Sequence, residues 1–318
     1  MKRSFLSRVP VVAQLRQSIG VQRFMLSTGV IITGVYVLIA IFAPLLAPYG
    51  FGQLSNAKGN FGSQQAPSAA HLWGTTVGGY DVLSRTIFGA RTALVAIVIA
   101  IVLSLVIGVL LGLLSGYFGG PVDRVLVVVC DAIYAFPTLL LAIVISIAIS
   151  GGSSDFWSGV FSAAFSITVV YIPQYFRVVR AEVVRIKVEA FVESARVIGA
   201  SDMRIIFRHV LRNSIRTLPL IITLNATDAF ETLAGLGFLG FGIEPSHAAE
   251  WGYDLQKALA DVTSGIWWTA LFPGLAIVLL ALGISLMGES LNDLADPRLR
   301  RRGAAGEIAE PDAAEVEL

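Results

Sequence analysis

The chain has 318 residues, of which 55% are hydrophobic and only 14% are charged, and its net charge is +1. A soluble domain carries about 25% charged residues, and its surface needs more polar groups than this chain supplies. The composition therefore excludes a soluble enzyme, a nucleic-acid-binding protein and a disordered scaffold. A polytopic membrane protein remains, and because strong alternation at period two is absent, helices are favoured over a transmembrane barrel.

Six apolar stretches are long enough to cross a bilayer, which takes about 20 apolar residues in a helix. The sequence therefore predicts an all-α polytopic membrane protein with six transmembrane helices. Five stretches are free of charge, and the sixth contains only two charged residues. In chain order the stretches are 24–57, 92–122, 132–154, 156–176, 217–243 (with Asp228 and Glu231) and 262–288.

The first stretch follows a basic segment, but it is longer than the 7–15-residue core of a signal peptide, and no clear small-residue cleavage site follows. We therefore predict a retained anchor. All but four of the 23 Lys and Arg residues fall on one side of the predicted helices, so the positive-inside rule places both termini in the cytoplasm. The predicted order is a basic cytoplasmic segment at 1–23, a first transmembrane helix at 24–47, an extracytoplasmic segment at 48–90, a five-helix core at 91–294, and a cytoplasmic tail at 295–318 whose end is disordered.

The basic segment between the fourth and fifth predicted spans, 177–216, is predicted to form two helices separated at Gly199. Ser201 is a favourable N-cap for the second helix, and Asp202 suits its first turn. Apolar residues then recur at helical spacing and form a stripe outside the bilayer. Either the protein's own helix ends and the lipid headgroups cover this stripe, or it docks into a groove on a partner protein. The stripe consists of Met203, Ile206, Phe207, Val210 and Leu211.

Residues 193–199, ESARVIG, resemble the EAA loop of ABC importer permeases, whose pattern is E-A-A, three residues, then Gly. In that family the loop forms a coupling helix in a groove on the ATPase subunit, so the resemblance favours docking, with a coupling loop at about 186–214. Ser194 replaces the second-position Ala. Arg212 stands where the family usually has Pro, which predicts that the second helix continues further. The ATPase-coupling residues that the resemblance implies are Glu193, Ala195, Gly199, Ser201, Asp202, Met203, Ile206, Phe207 and Val210.

Further segments between residues 71 and 302 resemble the C-type subunit of the dipeptide, oligopeptide and nickel permeases. Thr76 and Tyr80 depart from the polar residues usual there, so no role of those two positions is carried over. The matching segments, in family order, are HLWGT at 71–75, DVLSR at 81–85, FGAR at 88–91, DR at 123–124, Asp131, AFP at 135–137, LGFLGFG at 236–242, EWG at 250–252, FPGLAI at 272–277, LMGE at 286–289 and DPRL at 296–299.

The resemblance implies the type I ABC importer permease fold and a permease subunit that takes up di- and oligopeptides. Its implied partners are a homologous B-type permease subunit, two ATPase subunits or domains, an extracytoplasmic solute-binding protein and the lipid of a bacterial inner membrane, but no nucleic acid. The same architecture importing nickel, glutathione or haem stays open as an alternative. A self-sufficient channel or secondary transporter is a remote alternative, because neither internal repeats nor a broken-helix ion site is evident.

The inventory of reactive residues argues against an enzyme. No G-x-x-x-x-G-K-[ST] loop is present, so we expect ATP and Mg²⁺ to be bound by the partner ATPase subunits, and no cofactor by this chain. The three histidines, His71, His209 and His247, lie on different segments without the spacing of metal ligands, so no metal site is predicted. The single cysteine excludes an internal disulfide.

Polar residues within predicted spans are costly in hydrocarbon and usually face a cavity or a partner. Asp228 and Glu231 are three residues apart and share a helix face, and Asn225 lies nearby. Two interpretations stay open: this face lines the translocation pathway, or it hydrogen-bonds the neighbouring permease subunit. Asp131 and Glu289 lie near cytoplasmic helix ends, where snorkelling or capping is expected. A second pattern, Gly108-x-x-x-Gly112 extended by Gly116, predicts close helix packing.

Overall fold

A computed structural model describes residues 21–57, 59–149, 156–244 and 246–295. The predicted N-terminal segment, apart from its last three residues, and the predicted C-terminal tail, apart from its first residue, lie outside these ranges. The described part is almost entirely helical, which confirms the all-α prediction. Its elements are α1 Val21–Leu46, β1 Ser55–Asn56, β2 Gly59–Asn60, α2 Val82–Phe118, α3 Gly120–Tyr134, α4 Thr138–Ile149, α5 Phe156–Ile186, α6 Ala190–Val197, α7 Asp202–Arg204, a π-helical turn Ile205–Val210, α8 Leu211–Ser214, a 3₁₀ turn Ile215–Thr217, α9 Leu218–Phe238, α10 Trp251–Thr263 and α11 Trp268–Ala295.

Fewer helices than predicted are apolar enough to cross a membrane. Within the described ranges, α1, α2, α5 and α11 meet this condition, and the bent pair of α3 and α4 can count as a fifth span. The fifth predicted stretch forms α9, whose 21 residues are long enough but include Asn225, Asp228 and Glu231. The sequence already marked this stretch as the one that contains charged residues, and this polarity sets α9 apart from the other spans.

The third predicted span is broken rather than continuous. Helices α3 and α4 meet at an angle of 98°. Pro137 lies in the break; it has no amide hydrogen and disfavours helical geometry in the residue before it, which explains why α3 ends at Tyr134. The carboxylates of α3 are held by α5: Asp123 pairs with Arg180 at 2.5 Å, and Asp131 pairs with Arg177 at 2.8 Å.

Helix α2 is the longest element and begins earlier than predicted. Its 37 residues correspond to about 55 Å at 1.5 Å per residue. It starts within the predicted extracytoplasmic segment, where the Asp81 carboxylate accepts a hydrogen bond of 2.8 Å from the Ser84 amide and caps the helix.

The predicted glycine row is confirmed as a close contact between α2 and α5. A Cβ atom placed on Gly108 would lie 2.6 Å from the Cβ of Tyr175, and one on Gly116 would lie 2.7 Å from the Cβ of Val183. At Gly112 the nearest atom would be the Phe176 carbonyl oxygen, at 2.9 Å. No larger residue fits at these positions without separating the helices, so the row keeps α2 and α5 together between Gly108 and Gly116.

The outer end of α2 is tied to α10 through a buried ion pair. Arg85 is only 1% exposed, and its Nη2 lies 2.7 Å from Oδ1 of Asp254, while its Nε donates to the same carboxylate at 2.8 Å. Burial raises the pKa of Asp254, and the guanidinium opposes that rise. Such a paired, hydrogen-bonded geometry is what allows two charges to be buried together.

The segment between α1 and α2 folds onto the outer ends of α10 and α11. The Gln64 side chain donates to Asp261 at 2.5 Å, and the Trp268 indole donates to the Thr75 carbonyl at 3.3 Å. Trp73 stacks on Phe272 with ring centroids 4.1 Å apart. This segment is therefore a structured cap over the ends of α10 and α11, not an open loop.

Glu250 is a buried carboxyl that caps α10. Its oxygens accept hydrogen bonds of 2.8 Å from the backbone amides of Gly252 and Tyr253. Burial raises the pKa of Glu250 to about 8, although the two amides and Arg85 oppose the rise. The folded state therefore holds a proton that the unfolded chain has already released at neutral pH.

This raised pKa predicts a pH-dependent stability. Because the pKa of Glu250 rises from 4.5 to about 8 on folding, the stability that its proton contributes is complete below pH 4.5 and is lost as the pH rises to about 8. We expect Glu250→Gln, which keeps an acceptor oxygen for the cap, to flatten this decline, a difference on the order of a few degrees in Tm. The measurement is thermal unfolding in detergent, followed by a thiol-reactive dye on Cys130, the only cysteine and a buried one.

Glu244→Gln is the matched control, because Glu244 is an exposed carboxylate on the same outer segment. An equal change in the pH profile of both variants would contradict the assignment to Glu250.

Candidate coupling segment and membrane carboxylates

The predicted break between two cytoplasmic helices is present at Gly199. Its φ of +82° lies in the left-handed region, which a residue with a side chain rarely adopts. The Gly199 amide donates to the Arg196 carbonyl, and the Ala200 amide donates to the Ala195 carbonyl, both at 3.0 Å. The chain therefore reverses sharply between α6 and α7, and glycine fits there because of its backbone conformation.

Ser201 and Asp202 lie at the start of α7 as predicted, but their contacts differ. Ser201 occupies the N-cap position with an extended backbone, yet its side chain makes no capping hydrogen bond. Asp202 instead accepts a hydrogen bond of 2.6 Å from the hydroxyl of Tyr117, at the C-terminal end of α2. The first turn of α7 is thus attached to a spanning helix that is distant in sequence.

The predicted apolar stripe is divided between two environments. Ile206 and Val210 are buried in the protein's own core, together with Ile205. Met203 and Phe207 remain 57% and 50% exposed. The protein's own core therefore covers part of the stripe, and Met203 and Phe207 are the members that stay available to a partner.

On α6, Ala195 is buried beside Val192, whereas Glu193 is exposed to solvent. The predicted coupling residues therefore fall into two groups. Buried members shape the segment, and exposed members form its surface. The buried group is Ala195, Ile206 and Val210, and the exposed group is Glu193, Gly199, Ser201, Asp202, Met203 and Phe207.

Two residues that the sequence analysis did not select are the most exposed apolar side chains here. Val197 and Ile198 are 83% and 85% exposed, immediately before the Gly199 break. With Met203 and Phe207 they form what we call the exposed apolar patch. Their sequence signal was the pair of adjacent β-branched residues next to a helix-breaking glycine.

Positive charge accompanies the exposed apolar patch. Arginines precede Val197 and follow Met203 at every fourth position, and all of them are exposed. An apolar patch within a basic surface offers both burial and electrostatic steering to an acidic or amphipathic groove. These arginines are Arg196, Arg204, Arg208 and Arg212.

The polar residues of α9 do not share one environment. Asn225 is 2% exposed, and its Nδ2 atom has no hydrogen-bond partner. Asp228 and Glu231 are exposed on the surface of the chain. Each residue advances about 100° around a helix, so positions 225 and 231 differ by about 120° and Asn225 turns inward. Only the two carboxylates are therefore available to a pathway or a partner.

Near the predicted cytoplasmic helix ends, Asp131 and Glu289 also differ. Asp131 is paired with Arg177, whose guanidinium also lies 4.1 Å from the ring centre of Tyr134. Glu289 is exposed on α11. An ion pair, rather than simple snorkelling, therefore holds Asp131.

Comparisons with known proteins agree with this arrangement. Residues 108–301 match the family described as binding-protein-dependent transport system inner membrane component. A protein of Brucella abortus biovar 1 that carries the name peptide transport system permease protein is 37% identical over 276 residues, covering 85% of this chain and 88% of the relative. The glutathione transport system permease protein GsiD of Escherichia coli O6:K15:H31 is 36% identical over 279 residues, covering 88% of each chain.

A family match over more than half of the chain and relatives that align along most of it point to the same conclusion. The described helices supply the several apolar spans that such a protein needs. The chain belongs to the inner-membrane components of binding-protein-dependent transport systems, and it is an ABC importer permease of the peptide and glutathione family rather than an enzyme.

Proposed function

We propose that this chain is the translocation subunit of an ATP-driven importer that takes up short peptides delivered by an extracytoplasmic solute-binding protein. The observation that carries the proposal is the exposed apolar patch, which lies among arginines on both sides of the Gly199 break. The chain has no phosphate-binding loop of its own, so the energy of ATP must reach it through a surface contact.

In the proposed complex, this chain pairs with a homologous B-type permease subunit, and two ATPase subunits or domains bind ATP and Mg²⁺. Both termini lie in the cytoplasm, on the side of the ATPases. Closure of the ATPases moves α6 and α7, and the moved segment changes the positions of the spanning helices to which it is attached. The spans then alternate between an outward-open and an inward-open arrangement.

Peptide cargo is supported by the carboxylates of α9. Asp228 and Glu231 are exposed on a helix that is otherwise suited to the membrane, and exposed carboxylates cannot face hydrocarbon cheaply. A peptide carries a positively charged amine and many hydrogen-bonding groups, which such a face can accommodate. We propose that the two carboxylates line the pathway, whereas the buried Asn225 does not.

Glutathione is the second candidate cargo, because relatives with that name are 36% identical along most of the chain. Glutathione is a tripeptide, so one pathway chemistry serves both cargoes. The candidate cargoes are distinguished by measuring uptake of a labelled dipeptide by the assembled complex. Oligopeptides, glutathione, nickel and haem are then added in turn as competitors.

The exposed apolar patch predicts the strength of ATPase binding. Burial of an Ile or Phe side chain contributes about 1.5–3 kcal/mol, and 1.4 kcal/mol corresponds to a tenfold change in affinity. We expect Ile198→Ser or Phe207→Ser to weaken co-purification of the ATPase subunits by about tenfold or more. Quantitative pull-down from gently solubilised membranes measures this loss.

Leu72→Ser is the matched control, since Leu72 is also exposed but lies on the outer segment. ATPase recovery that stays normal in both patch variants would count against the docking proposal.

The α9 carboxylates predict a defect in transport rather than in assembly. We expect Asp228→Asn combined with Glu231→Gln to reduce peptide uptake per assembled complex at least several-fold, because the amine of the cargo loses its charged partners. Uptake into vesicles, normalised to the recovered B-type subunit, is the measurement.

Glu289→Gln serves as the control, because it removes an exposed carboxylate from a different spanning helix. If recovery of the B-type subunit falls while uptake per complex is unchanged, the carboxylates contact the neighbouring subunit instead of the cargo.

A further inference from the structure

Helix α2 is anchored by polar contacts at both of its ends. At the outer end, Arg85 forms the buried ion pair with Asp254 of α10. At the cytoplasmic end, the Tyr117 hydroxyl donates to Asp202 of α7 at 2.6 Å. These two contacts are separated by 32 residues of continuous helix, or about 48 Å.

The cytoplasmic contact joins elements that the chain itself does not join. The coupling segment continues α5 at its start and leads into α9 at its end, so covalent connections account for those two spans. Its attachment to α2 depends on side chains. Besides the bond to Asp202, the Lys187 ammonium donates to the Tyr117 carbonyl at 3.4 Å. Tyr117 thus contacts the segment both before α6 and after the Gly199 break.

Tyr117 is well placed to transmit displacement. Its side chain is only 9% exposed and belongs to the hydrophobic core, whereas its hydroxyl reaches an exposed carboxylate. Hydrogen bonds to ionised acceptors are shorter and stronger than neutral ones, and the distance here fits that class. The ring is fixed by packing, so the hydroxyl cannot follow Asp202 unless α2 moves as well.

Between these two contacts, α2 is packed closely against α5. The glycine row at Gly108, Gly112 and Gly116 holds α2 against α5, and the Asp123–Arg180 pair joins α3 to the same part of α5. Helix α2 is continuous from Val82 to Phe118 and contains no proline, and its Ser115-Gly116 pair, the other common site of a kink, is packed against Val183 of α5. Displacement at Tyr117 therefore reaches Arg85 and, through the ion pair, α10 on the outer face.

We propose that Tyr117 is a positioning residue whose hydrogen bond to Asp202 links the ATPase-coupling segment to the outer face through α2. The inference rests on the proposed function, since it assumes that an ATPase moves this segment. It adds a direct route between the nucleotide state and the face that receives the solute-binding protein.

The test uses the complete complex with its solute-binding protein and a labelled dipeptide. Energetic coupling between two sites is reciprocal, so a route through Tyr117 makes the affinity of the binding protein depend on the nucleotide bound on the other side. We expect Tyr117→Phe to assemble normally and to keep basal ATP hydrolysis. The difference in affinity for the solute-binding protein between the ATP-bound and nucleotide-free complexes should shrink several-fold. The stimulation of ATP hydrolysis by the solute-binding protein should fall as well.

Conservative variants separate positioning from folding. Asp202→Asn keeps an oxygen that accepts from Tyr117, so it should retain the nucleotide dependence, whereas Asp202→Ala should lose it. The double variant Tyr117→Phe with Asp202→Ala should be no worse than either single variant, because both remove the same bond. Tyr134→Phe is the matched control: it removes the hydroxyl of a half-exposed tyrosine on α3.

A full nucleotide dependence in Tyr117→Phe, or equal losses in Asp202→Asn and Asp202→Ala, would overturn the proposal. If the Tyr117→Phe complex does not assemble, the comparison of Asp202→Asn with Asp202→Ala tests the proposal instead. Asp202 is exposed, so we expect both of its variants to assemble. Failure of the unaltered chain to recover ATPase subunits is a separate result, which refutes the proposed function itself.

Discussion

The contact between α2 and α5 is the constraint on which the rest of the architecture depends. In a bilayer, helices gain little from hydrophobic association, so packing distance and polar contacts decide which helices stay together. The glycine row brings the two backbones close enough for side chains of one helix to touch the backbone of the other. The packed pair of α2 and α5 is therefore the common support for the coupling segment, the segment between α1 and α2, and α9.

The polar contacts of the chain are concentrated at the two ends of this helix pair. Arg85 and Asp254 lie near the N-terminal end of α2, whereas Asp123, Arg180, Tyr117 and Asp202 lie near its C-terminal end. Between them the described core consists mainly of small and aliphatic residues. A permease has to change shape without exposing unpaired polar groups to lipid, and pairing these polar groups with one another meets that requirement.

Sequence reasoning succeeded where a residue type permits only one environment. Uncharged stretches located the apolar spans, and Gly199 marked a backbone reversal that other residues rarely adopt. It failed where tertiary packing decides. A periodic stripe cannot reveal that Ile206 turns inward while Phe207 stays outside, and Asp254, the ion-pair partner of Arg85, is 169 residues away in sequence. Pro137 was a local signal for the break between α3 and α4. The break was not predicted because the uncharged stretch at 132–154 is long enough to cross the membrane as one helix.

The π-helical turn at Ile205–Val210 has a geometric consequence for everything that follows it. A π-turn accommodates more residues than an α-turn and the 3₁₀ turn at Ile215–Thr217 accommodates fewer, so together they set the angular phase at which α9 begins. The phase determines which way Asp228 and Glu231 point. The pitch of these two turns ahead of α9 thus sets the orientation of its carboxylates, and a single-residue deletion there would rotate Asp228 and Glu231 without altering either one.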